Sequence, residues 1–369
     1  MNLAQQQDQE FLMAAIELAG KGKYCCHPNP RVGCVLVVDS EIVASGWHQQ
    51  TGQGHAEVNA IEDASQRGVN IVGATAYVSL EPCSFTGKTP PCVDALNTAG
   101  VSRVVCASLD PNPKVAGNGL QILQQVGIAA MVLDNQETRH AAEWLNRGFF
   151  KRMREKKPWV MLKTASSLDG RTADNQGESQ WITSEQARED VHRLRAESGA
   201  ILTGSGTQQS DNPSLNVRIS EITENERFNQ PLRVLLDSTC QVSITDKIVG
   251  DDQDLLLFTE TKETSDLDNK VQVQCVESIQ LDEVLHHLAQ KQINTLMVEA
   301  GAKLSGAFLE ADLVDEIVHY IAPSVIGSQG RGMFDFSQSI SLADKKHFKI
   351  HSMQTIGDDI KIVYVRNSI

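Results

Sequence analysis

The chain has 369 residues, of which 41% are hydrophobic, and it carries a formal net charge of −14 at pH 7. This length exceeds one ordinary hydrophobic core and predicts two domains, while the apolar fraction excludes a wholly disordered chain. The acidic balance argues against nucleic acid as the main partner, because neutralising a phosphate backbone needs a basic surface. A small phosphorylated substrate needs only one or two local cations and is compatible with this charge.

The sequence also indicates the cellular compartment of the protein. None of its apolar runs reaches the ~18 residues of a membrane-spanning helix, and its Gln-rich start lacks the basic and apolar pattern of a secretory signal. The eight cysteines are thinly spread, which is not typical of a disulfide framework. We therefore expect a cytoplasmic protein that does not contact membranes.

The first part of the chain alternates between helical and strand-like periodicity. In chain order the pattern predicts a helix at 10–20, strands at 33–38 and 41–46, a helix at 55–67, a strand at 74–80, a helix from residue 92, a strand at 101–107, a helix at 119–125 and a strand at 128–132. The first two strands flank a turn signal, Asp39-Ser40, and predict a hairpin. This order of elements predicts a three-layer α/β domain.

The most specific motif in this part is His55-Ala56-Glu57, followed by Pro82-Cys83 and then Cys92. One imidazole and two thiolates suit a zinc ion with an open fourth position, and the neighbouring Glu is placed to move protons. The order is typical of hydrolytic zinc deaminases, although eight residues separate the cysteines where two are usual. A closed structural zinc site would need a fourth ligand, and two plain buried thiols are the other alternative. The motif favours a catalytic zinc centre over both.

A domain boundary is expected after a helix at 135–154, which ends in a basic run at 151–157 before Pro158. This run could be a nucleic-acid patch, but basic residues at a helix C-terminus before proline are also typical of a plain helix exit and linker. We favour the linker, and we expect a division into residues 1–150 and 151–369.

The second part has the pattern of another α/β unit, able to hold a nucleotide at its strand ends. Strands are predicted at 158–163, 200–203, 232–237, 254–258, 270–276, 294–299, 315–321 and 361–365, helices at 184–197, 281–291 and 303–311, and a solvated loop at 221–230.

Two glycine features in this part could cradle phosphates. The Gly-Ser-Gly at 204–206 is weak evidence for phosphate binding, since such a pattern is usually only a turn. The segment from Glu299 to Ala307 is stronger evidence for phosphate binding, because a strand end, a glycine and a helix start would turn backbone N–H groups towards a pyrophosphate. The residues alone are equally compatible with a plainer interpretation. Glu299 would then only cap the helix, and Arg195 and Arg218 would be ordinary surface charges.

Several motifs occurring together resemble the bacterial bifunctional riboflavin-biosynthesis proteins. They are HPNPRVG at 27–33, HAE at 55–57, EPC at 81–83 with the long gap to Cys92, DPNP at 110–113, SLDGR at 167–171, GESQWI at 177–182 and VEAG at 298–301. The resemblance covers the chain from about residue 10 to its end and implies a cytidine-deaminase-like domain followed by a dihydrofolate-reductase-like domain. It implies a diaminohydroxyphosphoribosylaminopyrimidine deaminase joined to a 5-amino-6-(5-phosphoribosylamino)uracil reductase, with zinc and NADPH as cofactors. We separately expect a homo-oligomer.

For the deaminase, the resemblance implies zinc on His55, Cys83 and Cys92, with Glu57 as the catalytic proton carrier. The residues matching its substrate contacts are Asn29, His48, Lys88, Thr89 and Asn112. One departure is Phe85, which stands where the family commonly has His, so that contact of the family is in doubt here.

For the reductase, the resemblance implies hydride transfer from NADPH that converts a ribosyl group to a ribityl chain. The candidates for the catalytic proton donor are Lys163, Asp211 and Glu299, of which we favour Asp211; a turn residue ahead of Pro213 is the plain alternative for it. The residues matching the substrate contacts are Ser179, Arg195, Leu215, Arg218 and Glu299. Those matching the cofactor contacts are Ala165, Trp181, Thr207, Asp211, Gly301, Ala302, Lys303, Leu304, Ser305, Gly306 and Ala307.

An alternative function is a nucleoside or RNA-base deaminase whose C-terminal half is a non-catalytic binding or dimerisation domain. An RNA-editing enzyme would need a basic groove, which the acidic charge disfavours, and the SLDGR block would have no explanation.

Overall fold

The chain folds into two units, residues 1–156 and 157–369. The computed structural model describes residues 3–87, 90–250, 253–262, 267 and 271–366. The first unit extends to residue 156, and Leu80, Phe149 and Phe150 form a small apolar cluster within it, against which Met153 packs. No helix among the described residues is both long enough and apolar enough to span a bilayer.

The first unit contains six helices and five strands among its described residues. The helices are α1 (Leu3–Ala19), α2 (Ala56–Gln66), α3 (Cys92–Thr98), α4 (Asn118–Gln125), α5 (Gln136–Leu145) and α6 (Arg147–Glu155). The strands are β1 (Gly33–Val38), β2 (Glu41–Trp47), β3 (Thr75–Val78), β4 (Arg103–Cys106) and β5 (Ala129–Val132).

The five strands form one sheet in the order β2-β1-β3-β4-β5. Strand β1 is antiparallel to both neighbours, which confirms the hairpin, and β3, β4 and β5 are parallel. Side chains of a strand alternate between the two faces, so Leu36 packs with α2 and α3 while Val35 packs with α1. The sheet therefore lies between two helical layers, as the sequence predicts.

The helix expected at 135–154 is wrong as a single helix, because α5 and α6 are separate. Asn146 lies between them with φ −111° and ψ 19°, outside the helical range. Its side chain bonds the backbone of Arg31 twice, accepting from the N–H and donating to the carbonyl at 2.8 Å each. This distant contact holds Asn146 in the conformation that ends α5.

The second unit contains five helices and eleven strands among its described residues. The helices are α7 (Glu185–Glu197), α8 (Ser205–Asp211), α9 (Ser220–Thr223), α10 (Leu281–Gln290) and α11 (Ala302–Glu310). The strands are β6 (Trp159–Ser167), β7 (Arg171–Ala173), β8 (Ala200–Gly204), β9 (Leu232–Leu236), β10 (Leu255–Thr259), β11 (Val271–Cys275), β12 (Thr295–Val298), β13 (Glu316–Ala322), β14 (Arg331–Gly332), β15 (Phe348–Ile356) and β16 (Asp359–Arg366).

Nine of these strands form one sheet, in the order β11-β10-β9-β8-β12-β6-β13-β16-β15. The strands from β11 to β13 run parallel, and β16 and β15 add antiparallel pairs at one edge. Parallel strands buried on both faces explain the continuous apolar runs in the sequence, such as LLLF at 255–258. Parallel β6, β8 and β12 end at one edge, where Glu299 and the start of α11 follow β12.

This unit differs from the sequence prediction in several parts, including the short paired strands β7 and β14, which the pattern does not indicate. The Gly-Ser-Gly expected as a turn instead leads into α8, and the loop expected at 221–230 begins inside the short α9. Strand β15 was not predicted, because its residues are exposed along nearly its whole length and show no apolar alternation.

Candidate active sites

The first site brings together His55, Cys83 and Cys92. His55 is the residue before α2, Cys83 follows β3, and Cys92 is the first residue of α3. The Nδ1 atom of His55 lies 3.4 Å from Sγ of Cys83 and 3.3 Å from Sγ of Cys92, and the two sulfurs are 3.4 Å apart. Three donor atoms thus form a nearly equilateral triangle.

This triangle fits a zinc ion. Tetrahedral zinc with ordinary Zn–N and Zn–S bonds would separate these donors by about 3.5–3.8 Å, close to the distances observed. Among the described residues, the cluster has three protein ligands. Three ligands of this type leave the fourth position for a reacting molecule, which is typical of catalytic rather than structural zinc.

The backbone helps to make Cys83 an anionic ligand. The N–H of Cys92, at the start of α3, donates to Sγ of Cys83 at 3.3 Å. Hydrogen bonding from Cys92 and then from His55 outweighs burial and holds the pKa of Cys83 well below its ordinary value. The Cys83–Cys92 hydrogen bond and burial raise the pKa of Cys92 instead, so the pair holds one proton that metal binding would release.

Glu57 lies beside these ligands, in the first turn of α2. Its side chain is buried, with 2% of the residue exposed. Burial first, and then the charge of Cys83, raise the pKa of Glu57. A carboxyl group with a raised pKa can both accept and return a proton near neutral pH, which suits general acid–base catalysis.

Asn29 and His48, two of the predicted substrate contacts, bond to each other. Nδ1 of His48 lies 3.1 Å from the carbonyl oxygen of Gly54, and Nε2 lies 3.1 Å from Nδ2 of Asn29. Burial lowers the pKa of His48, so the ring is neutral, with its proton on Nδ1 and Nε2 accepting from the amide. This bond fixes the amide orientation and leaves Oδ1 of Asn29 to accept a hydrogen bond from a ligand.

The remaining predicted deaminase contacts divide into two groups. Asn112 lies in a turn where its N–H donates to Oδ1 of Asp110 at 2.8 Å. Lys88 and Thr89 lie outside the described residues. Phe85 is 37% exposed, and Nζ of Lys114 is 5.9 Å from its ring centroid.

The second site centres on a buried ion pair between Arg195 of α7 and Glu299. Nε of Arg195 donates to Oε1 at 2.6 Å and Nη2 donates to Oε2 at 2.9 Å, while Nη1 donates to the carbonyl of Asn216 at 3.0 Å. The two side chains are 12% and 11% exposed. Glu299 is therefore a partner of Arg195 rather than a helix cap, and Arg195 is not a surface charge.

Lys163 of β6 interacts electrostatically with this pair. Burial lowers the pKa of Lys163, against the opposing charge of Glu299. Burial acts to raise the pKa of Glu299, but the charge and hydrogen bonds of Arg195 outweigh it and lower that pKa. The site therefore holds an ionised carboxylate beside a lysine that loses its proton more readily than usual.

Sequence reasoning missed His192, which lies one turn before Arg195 on α7. Burial, followed by the charges of Arg195 and Arg218, lowers the pKa of His192 to about 4. A single histidine on a helix gives no motif, so only the fold reveals that it belongs to this site.

Most of the predicted cofactor residues lie around the start of α11. Oγ1 of Thr207, on α8, accepts the N–H of Gly301 at 3.0 Å, which joins the two helix starts that follow β8 and β12. The segment predicted to contact the cofactor, from Gly301 to Ala307, forms the first turns of α11. The unpaired N–H groups of a helix start suit a pyrophosphate, so these residues fit a dinucleotide.

The other predicted reductase residues are more scattered. Ala165 lies on β6, whereas Trp181 is 69% exposed beneath the guanidinium of Arg188, 4.4 Å from its ring centroid. Asp211 is exposed at the end of α8, and its Oδ1 accepts from Oγ of Ser210 at 2.9 Å. Among the other predicted substrate contacts, Ser179 is half-buried, Leu215 is buried and Arg218 is exposed.

Comparisons with known proteins identify the family to which each unit belongs. Residues 5–108 match the cytidine and deoxycytidylate deaminase zinc-binding region, and residues 158–362 match the RibD C-terminal domain. The riboflavin biosynthesis protein RibD of Haemophilus influenzae is 45% identical, over 98% of this chain and 98% of that protein.

Solved structures of similar proteins give the same result. A RibD structure from Acinetobacter baumannii has a TM-score of 0.90 and 42% identity, covering 98% of this chain and 99% of that one. A diaminohydroxyphosphoribosylaminopyrimidine deaminase/5-amino-6-(5-phosphoribosylamino)uracil reductase from Thermotoga maritima has a TM-score of 0.88 and 32% identity, with coverage of 98% and 99%. The predicted pair of α/β domains, the two enzyme classes and the zinc and NADPH cofactors are thereby confirmed. The chain belongs to the RibD family of riboflavin-biosynthesis enzymes and is a zinc-dependent deaminase joined to an NADPH-dependent reductase.

Proposed function

We propose that the first unit deaminates 2,5-diamino-6-(5-phosphoribosylamino)pyrimidin-4-one to 5-amino-6-(5-phosphoribosylamino)uracil, and that the second unit then reduces its ribosyl group to ribityl. The observation that carries the first step is the triangle of His55, Cys83 and Cys92 beside buried Glu57. The chemical name of the Thermotoga maritima protein supports this choice of substrates.

In the deaminase, His55, Cys83 and Cys92 hold the metal and Glu57 moves the proton. Bound zinc supplies Lewis acidity that lowers the pKa of a water molecule. Glu57 would accept one proton from the attacking water and give it to the ring nitrogen. It would then move a second proton, from the newly added hydroxyl group, to the amine that leaves as ammonia. Its burial and raised pKa support both steps, because the group must bind and release a proton in each turnover.

The deaminase substrate contacts we propose are Asn29, His48, Asn112, Lys88 and Thr89. Oδ1 of Asn29 accepts from the exocyclic amine or a ring N–H, because His48 holds the other end of that amide. Lys88 brings a positive charge that suits the 5-phosphate of the ribose.

In the reductase, the start of α11 binds the pyrophosphate of NADPH, together with Ala165, Trp181, Thr207 and Asp211. Bound NADPH supplies a hydride to the sugar carbon that carries the amine. Arg218 and Arg195 face the ribose phosphate, with Ser179 and Leu215 beside the substrate.

We propose Lys163 rather than Asp211 as the proton donor that opens the ribose. Burial lowers the pKa of Lys163, and the negative charge of Glu299 acts on it in the opposite direction. Asp211 is exposed at the end of α8, where bulk water reaches its carboxyl group. Glu299 is engaged by Arg195, and its negative charge acts on Lys163.

An assay of ammonia release tests the proposed substrate. With the phosphoribosylaminopyrimidine, ammonia should appear at a rate typical of enzymes, of order 1–10³ s⁻¹, whereas cytidine and deoxycytidylate should give at least about 10²-fold less. Faster deamination of cytidine or of an RNA base would contradict the proposal. It would support the alternative of a nucleoside or RNA-base deaminase with a non-catalytic second unit.

We also propose that the enzyme is a cytoplasmic homo-oligomer. Cys83 and Cys92 must stay reduced to bind zinc, which suits a reducing compartment. Strand β15 is a sheet edge on which Ile350 and Met353 are 64% and 67% exposed. The irregularity between residues 350 and 352 brings both side chains to one face, and a second copy would cover them.

Light scattering tests this assembly. The native protein should have a mass that is a multiple of 40.4 kDa. Ile350→Lys should shift the mass towards 40.4 kDa, because the change buries an unpaired charge at the contact. A native monomer at micromolar concentration would refute the assembly without affecting either catalytic site.

A further inference from the structure

Glu81 is a buried carboxylate that the mechanism above leaves without a role. It stands two residues before Cys83, and 3% of it is exposed. Its Oε2 accepts the backbone N–H groups of Asp110 at 3.2 Å and of Gly117 at 2.9 Å. Its Oε1 accepts those of Gly119 at 2.9 Å and of Leu120 at 3.4 Å. One carboxylate thus binds four backbone groups of the segment 110–120.

Three of these groups belong to the start of α4. Gly117 is the residue before this helix, and Gly119 and Leu120 lie in its first turn. Such N–H groups have no partner inside a helix, and a negative charge there also favours the helix dipole. Glu81 therefore caps α4 from a part of the chain more than thirty residues away.

The fourth group ties Glu81 to a predicted substrate contact. Asp110, whose N–H binds Glu81, accepts the N–H of Asn112 on its own Oδ1 at 2.8 Å. The position of Asn112 is thereby linked, through two hydrogen bonds, to the chain that carries Cys83.

Close packing leaves this junction little room to shift. A Cβ atom on Gly119 would lie only 2.2 Å from the carbonyl oxygen of Pro82. Gly117 has a φ of 92°, a backbone conformation that residues other than glycine rarely adopt. The first turn of α4 is therefore seated directly on residues 81–83.

We propose that Glu81 is a positioning residue of the deaminase, which sets the distance between the metal ligand Cys83 and the substrate contact Asn112. It touches neither the metal ligands' donor atoms nor a reacting atom in this role; it acts through the segment 110–120. The inference rests on the proposed assignment of Asn112 to the substrate.

Glu81→Gln in the full, zinc-loaded chain is the test. The amide keeps the shape of the side chain but turns an NH₂ group towards two backbone N–H donors, so the segment must move. We expect KM for the phosphoribosylaminopyrimidine to rise about 10- to 100-fold, since small misplacements have large effects, while kcat falls less than about threefold. Bound zinc and the visible spectrum of the cobalt-substituted enzyme should not change, nor should NADPH oxidation on the deaminated substrate.

Two further variants calibrate the result. Glu81→Asp keeps both acceptor oxygens on a shorter stem and should give an intermediate KM. If Glu81→Gln does not fold, Glu81→Asp serves as the test variant in its place. Asp63→Asn removes another carboxylate that accepts a backbone N–H, that of Ser45 at 3.0 Å, and should leave KM unchanged.

An unchanged KM in both Glu81 variants would overturn the inference. So would a loss of zinc or an altered cobalt spectrum that accounts for the lost activity, because Glu81 would then act only on the metal site. If the native enzyme does not deaminate this pyrimidine at all, the proposed function fails instead, which the native control reveals separately.

Discussion

Glu57→Ala should abolish ammonia release while leaving the reductase intact. The variant removes the only proposed proton carrier of the deaminase, and general acid–base catalysis typically contributes about 10²–10⁴-fold. Zinc should stay bound, because His55, Cys83 and Cys92 are unchanged. NADPH oxidation should continue at the native rate when the deaminated pyrimidine is supplied.

Glu62→Ala is the matched control, since Glu62 lies on the same helix α2 but is exposed. It should keep native rates in both assays. If Glu57→Ala also stopped the reductase on deaminated substrate, the two sites would not be independent. If it kept full deaminase activity, another group would have to move the proton.

Glu299→Gln should have the largest effect on the second unit. The change leaves the guanidinium of Arg195 buried beside a neutral amide, and breaking a buried ion pair costs about 3–5 kcal/mol of unfolding free energy. Reductase activity should be lost as well, because the site loses the negative charge of Glu299 that acts on Lys163. Urea unfolding and NADPH oxidation measure the two effects, and ammonia release should persist.

Glu189→Gln calibrates the stability change. Glu189 pairs with Arg193 on the same helix α7, but both side chains are exposed, so the loss should be only about 0.3–0.5 kcal/mol.

The double variant Arg195→Met with Glu299→Leu separates stability from catalysis. It should regain most of the stability, since apolar side chains can replace a buried pair, yet show no reductase activity. Recovery of activity would mean that the pair has only a structural role.

The sequence was most informative where chemistry restricts residue type and spacing. His55, Cys83 and Cys92 were predicted as neighbours because zinc ligands and their companion Glu57 occur in a fixed order, and their side chains do converge. The alternation of β1 and β2 gave the hairpin for a similar reason, because a two-residue turn signal separates two short apolar runs.

The sequence failed where a contact joins distant segments. The bond between Asn146 and Arg31 splits α5 from α6, and neither residue signals the other. The same holds for the pairing of Arg195 with Glu299 and for the four amides on Glu81. The sequence did not indicate His192, because its pKa is lowered by burial and by the charges of Arg195 and Arg218, which only the fold places near it.

The most direct test of the account is a coupled assay that follows ammonia and NADPH together, with the undeaminated phosphoribosylaminopyrimidine as the only pyrimidine supplied. We expect ammonia to appear first, and NADPH to be consumed after a lag until the two amounts are equal. NADPH oxidation without ammonia release, at a comparable rate, would contradict the proposed order of the two reactions.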